Sequence, residues 1–64
     1  MIRTCSVFVN SHEAALIVCQ GLIDKSQWFE VTPFPMDRFE ISAKIENVIM
    51  LSQLASGAEE ETFS

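Results

Sequence analysis

The segment over residues 11–25 constrains the fold most, because as a helix it is apolar on almost every side. At about 100° per residue, Glu13, Gln20 and Asp24 share a polar stripe only about 40° wide. A surface helix of a small domain needs one apolar face, whereas a helix that is apolar all round expects cover on two sides. The segment therefore predicts a partner, and we expect a second copy of the chain.

The size of the chain points the same way, because 64 residues form one domain at most. Such a domain buries only about 60% of the surface that its unfolded chain exposes. Two cysteines, Cys5 and Cys19, are too few for a disulfide scaffold, and we interpret both as small buried hydrophobic residues. Association is then the expected source of additional stability.

The charge is acidic, with a formal net of −5 at pH 7 and three consecutive carboxylates at residues 59–61. The four cations are dispersed, so the clustered positive charge that binds nucleic acid is missing, and no nucleic-acid partner is expected. No run approaches ~18 apolar residues and no secretory leader is recognisable, so we expect a cytoplasmic protein without a membrane partner.

Alternating apolar and polar side chains predict three strands, over residues 2–9, 28–34 and 38–45. The last strand has the clearest inward face, made by Phe39, Ile41, Ala43 and Ile45. Phe8, Trp28 and Phe34 are predicted to share the outward face of the sheet. Pro33 cannot donate a ladder hydrogen bond, so the second strand, or at least its end, belongs at a sheet edge.

The first helix is predicted to run to about Lys25. Asn10 and Ser11 offer N-cap oxygens, and Glu13 lies three residues after Asn10 as in a capping box. Gly21 weakens this helix by ~1 kcal/mol relative to alanine, which indicates that another element packs closely there.

The second helix is predicted from Asn47, its cap, to Ser56, with Gly57 as the C-terminal stop. A start at Ser42 is the alternative. The domain then covers residues 1–57, and residues 58–64 form an acidic, disordered tail.

The element order predicts an α+β protein: a two-layer βαββα sandwich, with a three-stranded mixed sheet and helices on one face. The first two strands are expected to be parallel, joined by a right-handed crossover, and the last two to form a hairpin. This order is similar to a ferredoxin-like fold that lacks its last strand. The resemblance is one of architecture, and it implies no function.

No catalytic, cofactor or metal site is predicted, and we expect no enzyme activity. His12, the only histidine, lies at a helix N-terminus with no nucleophile at a recognisable spacing. Two cysteines and one histidine do not provide the closely spaced ligands of a metal site. Glycine-rich phosphate loops are also missing, since Gly21 and Gly57 are isolated.

The aromatic outward face has three interpretations. Cations beside aromatic side chains occur on RNA-binding sheets, but Glu30 and Glu40 on this face cancel the charges of Arg38 and Lys44. Cover by the second helix or by another subunit is expected instead. A small-molecule sensor, detectable through Trp28 fluorescence, is a third interpretation.

We therefore predict a non-enzymatic binding or assembly module that forms a homodimer. Either an edge strand adds to its counterpart across a two-fold axis, or surplus apolar helix residues meet. The candidate interface residues are all apolar: Leu16, Ile17, Ile23, Trp28, Phe34, Met50 and Leu54. The alternative is an acidic inhibitor or regulator of a larger protein, such as one that binds nucleic acid, of the kind that mobile elements carry.

Overall fold

Two helices and a three-stranded sheet make up the computed structural model, which describes residues 3–63, with side chains described as far as residue 60. The elements are β1 (Thr4–Val9), α1 (His12–Asp24), β2 (Phe29–Phe34), β3 (Arg38–Lys44), a 3-10 turn (Ile45–Asn47) and α2 (Val48–Phe63). The predicted α+β class and βαββα order are confirmed. The parts of the sequence-based prediction that concern residues 1, 2 and 64 lie outside the described residues.

The sheet has the order β1-β3-β2, and both pairs of neighbours are antiparallel. The predicted mixed sheet is therefore wrong. β1 and β2 do run in the same direction, but β3 lies between them and pairs with both. Ile41, for example, is opposite Val7 on one side and Val31 on the other. The inward residues of this central strand, Ile41 and Ala43, are fully buried.

Both helices cover one face of the sheet, with α2 mainly over β1 and α1 over β3. The largest fully buried side chains come from every layer, and they are Val9, Val18, Leu22, Ile41 and Leu51. Neither helix extends far over β2, so Val31 on its inward face remains 40% exposed. Within residues 3–63 no helix lies on the outer face of the sheet, so cover by the second helix, one of the predicted arrangements, does not occur.

Local hydrogen bonds explain where α1 begins. The Ser11 hydroxyl accepts a bond of 3.1 Å from the backbone N–H of Ala14, which makes Ser11 the N-cap. The capping box predicted between Asn10 and Glu13 does not form, because the helix starts one residue later than that pairing requires.

The close approach predicted at Gly21 is confirmed. A methyl group on Gly21 would overlap the Cδ atoms of Leu54, so the missing side chain lets α1 and α2 pack together. Gly57 behaves differently, because a methyl group there would meet nothing within 4 Å.

The predicted end of α2 at Ser56 is wrong, because the helix continues through Gly57 to Phe63. No glycine has a positive φ, so Gly57 does not take the left-handed conformation that ends helices. Ala58 is fully buried, and this contact continues the apolar stripe beyond the glycine. Residues 58–63 are therefore helical, and the disordered tail predicted there is also wrong.

The predicted start of α2 needs two corrections. Asn47 does not cap the helix; its side-chain amide donates a 2.8 Å hydrogen bond to Gln27 Oε1. Ile45, expected inside the sheet, lies in the 3-10 turn and is 45% exposed. The alternative start at Ser42 is excluded, because Ser42 belongs to β3.

Gly57→Ala is expected to raise the free energy of unfolding by about 1 kcal/mol, because alanine is the better helix former and the site has room for a methyl group. Urea denaturation followed by circular dichroism measures the change. Gly21→Ala is the matched control and should give no comparable gain, since its methyl group displaces Leu54. No stabilisation from Gly57→Ala would contradict the continuation of α2 through residue 57.

Candidate interaction surfaces

The candidate interface residues divide into two groups by exposure. Leu16, Ile23, Trp28 and Phe34 are between 43% and 56% exposed. Ile17, Met50 and Leu54 are half-buried and pack against the core, with Leu54 filling the space above Gly21. The first group offers more surface to a partner, and the interface role of both groups stays a prediction.

The free edge of β1 is defined by one hydrogen bond just outside the strand. The backbone N–H of Ile45 donates to the carbonyl of Arg3 at 3.0 Å. Because hydrogen-bonded pairs recur at every second residue of an antiparallel ladder, the backbone groups of Cys5, Val7 and Val9 also bond to β3. The N–H and C=O groups of the alternate residues therefore face away from the sheet; these residues are Thr4, Ser6 and Phe8.

The free edge of β2 is interrupted, by the same reasoning. The alternate β3 residues bond to β2, which leaves Phe29, Val31 and Pro33 facing outward. Pro33 has no N–H to offer, as predicted for an edge strand. Glu30 adds a charge to the strand. Proline and charge are the usual means by which proteins prevent sheet edges from pairing.

β1 lacks both protections, since Thr4–Val9 contains neither proline nor a charged side chain. Apolar groups border its edge. Phe8 is 51% exposed on the outer face, and α2, which covers β1, exposes Val48 by 43% and Ile49 by 70%. The β1 edge is therefore the more complete pairing edge of the sheet.

A second surface, the α1 flank, consists of Leu16 and Ile23, which are 56% and 55% exposed. Gly21 lies on the side of α1 that faces α2. Leu16 and Ile23 lie on another side of the helix, at seven-residue spacing, so they share one exposed face of α1. This apolar face of α1 is not covered by the other described elements.

A third surface, the outer cleft, lies on the helix-free face at the β2–β3 turn. It has a volume of about 380 Å³ and is lined by Phe8, Phe34, Pro35, Met36 and Arg38. The rings of Phe8 and Phe34 are tilted by 52° with centroids 6.0 Å apart. Trp28, predicted to lie with them, is six residues and roughly 20 Å away along β2. Alternation gives these three aromatic residues a common face but not a common end of the sheet.

The turn beside the outer cleft is strained. Met36 and Asp37 have φ angles of 66° and 59°, in the left-handed region that favours glycine. Each such residue costs on the order of 1 kcal/mol. Packing of the Met36 side chain offsets little of this conformational free energy, since Met36 is 90% exposed.

The remaining chemically reactive side chains do not assemble into a site. The His12 ring lies against Phe39, with centroids 5.9 Å apart. The Cys5 thiol donates to the carbonyl of Lys44 at 3.5 Å. Among the side chains described, which end at residue 60, no three histidine, cysteine or acidic groups are placed to hold a metal ion.

Burial raises the pKa of the Cys19 thiol above its ordinary value of 9.0. The unfolded chain therefore ionises first, and the free energy of unfolding should fall as the pH rises past about 9. In a Cys5→Ser background, thiolate absorbance should titrate at higher pH in the native chain than in concentrated urea. Equal midpoints would contradict this prediction, and replacing Cys19 as well should remove the titration.

The chain matches no protein-family model, no curated protein and no solved structure. Among the described residues, neither helix combines the length and apolar character needed to cross a bilayer. The sequence predicts pairing through an edge strand without specifying which strand, although the uncharged stretch Thr4–Val9 is a signal that favours β1.

Proposed function

We propose that this protein is a non-enzymatic assembly module that forms a homodimer through the β1 edge. Two copies of β1 pair antiparallel about a two-fold axis, so the two three-stranded sheets join into one. The observation that supports this proposal is the set of outward N–H and C=O groups on a strand without charge or proline.

The direction of those groups limits the register. Thr4, Ser6 and Phe8 have to form the hydrogen-bonded pairs with the second copy. An axis through Ser6 places Ser6 opposite its own counterpart and Thr4 opposite Phe8, and it pairs most of the strand. Each chain then gives and receives the same contacts, as an isologous interface requires.

Exposed apolar side chains of α2 complete the interface. A paired edge alone buries little surface, and stable dimers usually need more. α2 lies over β1 and exposes Val48 and Ile49, so two such helices approach one another when the edges pair. Their contact adds apolar burial to the backbone hydrogen bonds.

Disulfide trapping tests the pairing directly. Hydrogen-bonded antiparallel residues have Cα atoms ~5.5 Å apart, a separation that a disulfide spans. In a Cys5→Ser, Cys19→Ser background, Ser6→Cys should form a covalent dimer under mild oxidation. Glu30→Cys is the matched control, since it is also exposed on the outer face of an edge strand and should stay monomeric under denaturing conditions. Equal cross-linking of the two variants would contradict the β1 register.

The second candidate function is regulation of a larger protein in the cytoplasm through the α1 flank. Leu16 and Ile23 are exposed beside the acidic stripe of α1, which suits an apolar groove with a basic border. The wild-type chain should then capture a partner from a cell extract that Leu16→Lys does not capture. Ile17→Glu is a poor test, because Ile17 packs against the core.

A further inference from the structure

We propose that the outer cleft binds a small apolar molecule that carries a carboxylate group. Arg38 would bind the carboxylate, and Phe8 and Phe34 would hold the apolar body. The cleft shares Phe8 with the β1 edge, but its other four lining residues lie at the β2–β3 turn, so one chain supplies the whole site.

The size and the walls of the cleft suit such a ligand. Its volume of about 380 Å³ falls within the range of small-molecule sites. Phe8, Phe34, Pro35 and Met36 provide apolar walls, and the tilted phenylalanine rings leave their faces available to a ring or a short alkyl chain.

The polar chemistry of the cleft selects the charged group. Arg38 is the only lining residue with a polar side chain, and a guanidinium group donates hydrogen bonds but accepts none. No hydrogen bond or ion pair joins the Arg38 guanidinium group to another described residue. Glu40, two residues along β3, accepts a 3.1 Å bond from the Ser6 hydroxyl. A carboxylate matches the free fork of donors on Arg38.

The strained turn is an independent observation at the same place. Met36 and Asp37 adopt a left-handed backbone conformation that glycine or asparagine would adopt with less strain. This conformation places Met36 at the rim of the cleft. Strained backbone is concentrated at functional sites. The flexible, polarisable Met36 side chain suits a wall that closes over a ligand.

The probe for the test is 3-phenylpropionate, titrated into the full chain at millimolar concentration and followed by nuclear magnetic resonance. It should produce saturable shifts at Phe8, Phe34, Met36 and Arg38. Its neutral amide, which lacks the charge, and acetate, which lacks the apolar body, should bind about tenfold more weakly or worse. No saturable shift at these residues, or equal binding of the neutral amide, overturns the proposal.

Variants identify the contacts. Arg38→Gln should weaken 3-phenylpropionate binding about tenfold, while Lys44→Gln, on the same face at the other end of β3, should leave it unchanged. Met36→Gly should weaken binding of the probe. It should also raise the urea midpoint of unfolding, because glycine adopts a positive φ without strain.

Equal losses of probe affinity from Arg38→Gln and Lys44→Gln would show general charge attraction and overturn the site. A dimer that fails to bind the probe overturns this inference alone, and a monomer that binds it overturns the proposed function alone.

Discussion

Ser6→Pro is expected to convert the dimer into a folded monomer. The N–H of Ser6 points away from β3, so proline removes a donor that only the second copy uses. Under the two-fold axis the loss occurs twice, and the proline ring also obstructs the facing strand. Loss of two hydrogen bonds costs about 1 kcal/mol each, and the clash of the proline ring adds to this. Together these losses should raise the dimer dissociation constant about a hundredfold. Sedimentation equilibrium over a range of concentrations measures that constant.

Two controls separate edge pairing from other effects of this substitution. Ser6→Ala removes the hydroxyl bond to Glu40 but keeps the N–H, so the dimer should persist. Val31→Pro puts the same ring on the outward edge of β2, where no pairing is expected, and it should also leave a dimer. A Ser6→Pro chain that stays dimeric with unchanged affinity would contradict pairing through β1.

Leu51→Ala is expected to have the largest effect on stability, lowering the free energy of unfolding by about 3 kcal/mol. Leu51 is fully buried among the core residues, so truncation loses apolar burial and leaves a cavity. The total free energy of unfolding of a 64-residue domain is roughly 3 to 10 kcal/mol. The substitution therefore removes a large fraction of the stability.

Leu16→Ala is the matched control, since Leu16 is 56% exposed on α1. It should change the free energy of unfolding by no more than about 0.5 kcal/mol. Urea denaturation should be compared at one chain concentration, because dimer formation couples stability to concentration. Similar losses from the two substitutions would contradict the placement of the core.

Local pattern was sufficient to predict most of the elements. Alternation placed β3 and its buried residues Ile41 and Ala43 correctly, and Gly21 signalled the contact between the helices. The end of α2 was missed because a tertiary contact decides it. Burial of Ala58 carries the helix past Gly57, although glycine lowers helix propensity.

The order of the strands in the sheet could not be predicted from the sequence either. Alternation shows which face of a strand is buried but not which neighbours it pairs with, so a mixed sheet was expected where β3 inserts between β1 and β2. The candidate site depends on this order. Pro33 marked β2 as an edge strand, whereas β1 becomes an edge only once β3 occupies the centre.

The mass of the wild-type chain in solution tests the central claim most directly. Sedimentation equilibrium should give twice the chain mass of 7.2 kDa, with a shift toward the single chain on dilution. A folded chain that stays at 7.2 kDa at every concentration would contradict the proposed dimer.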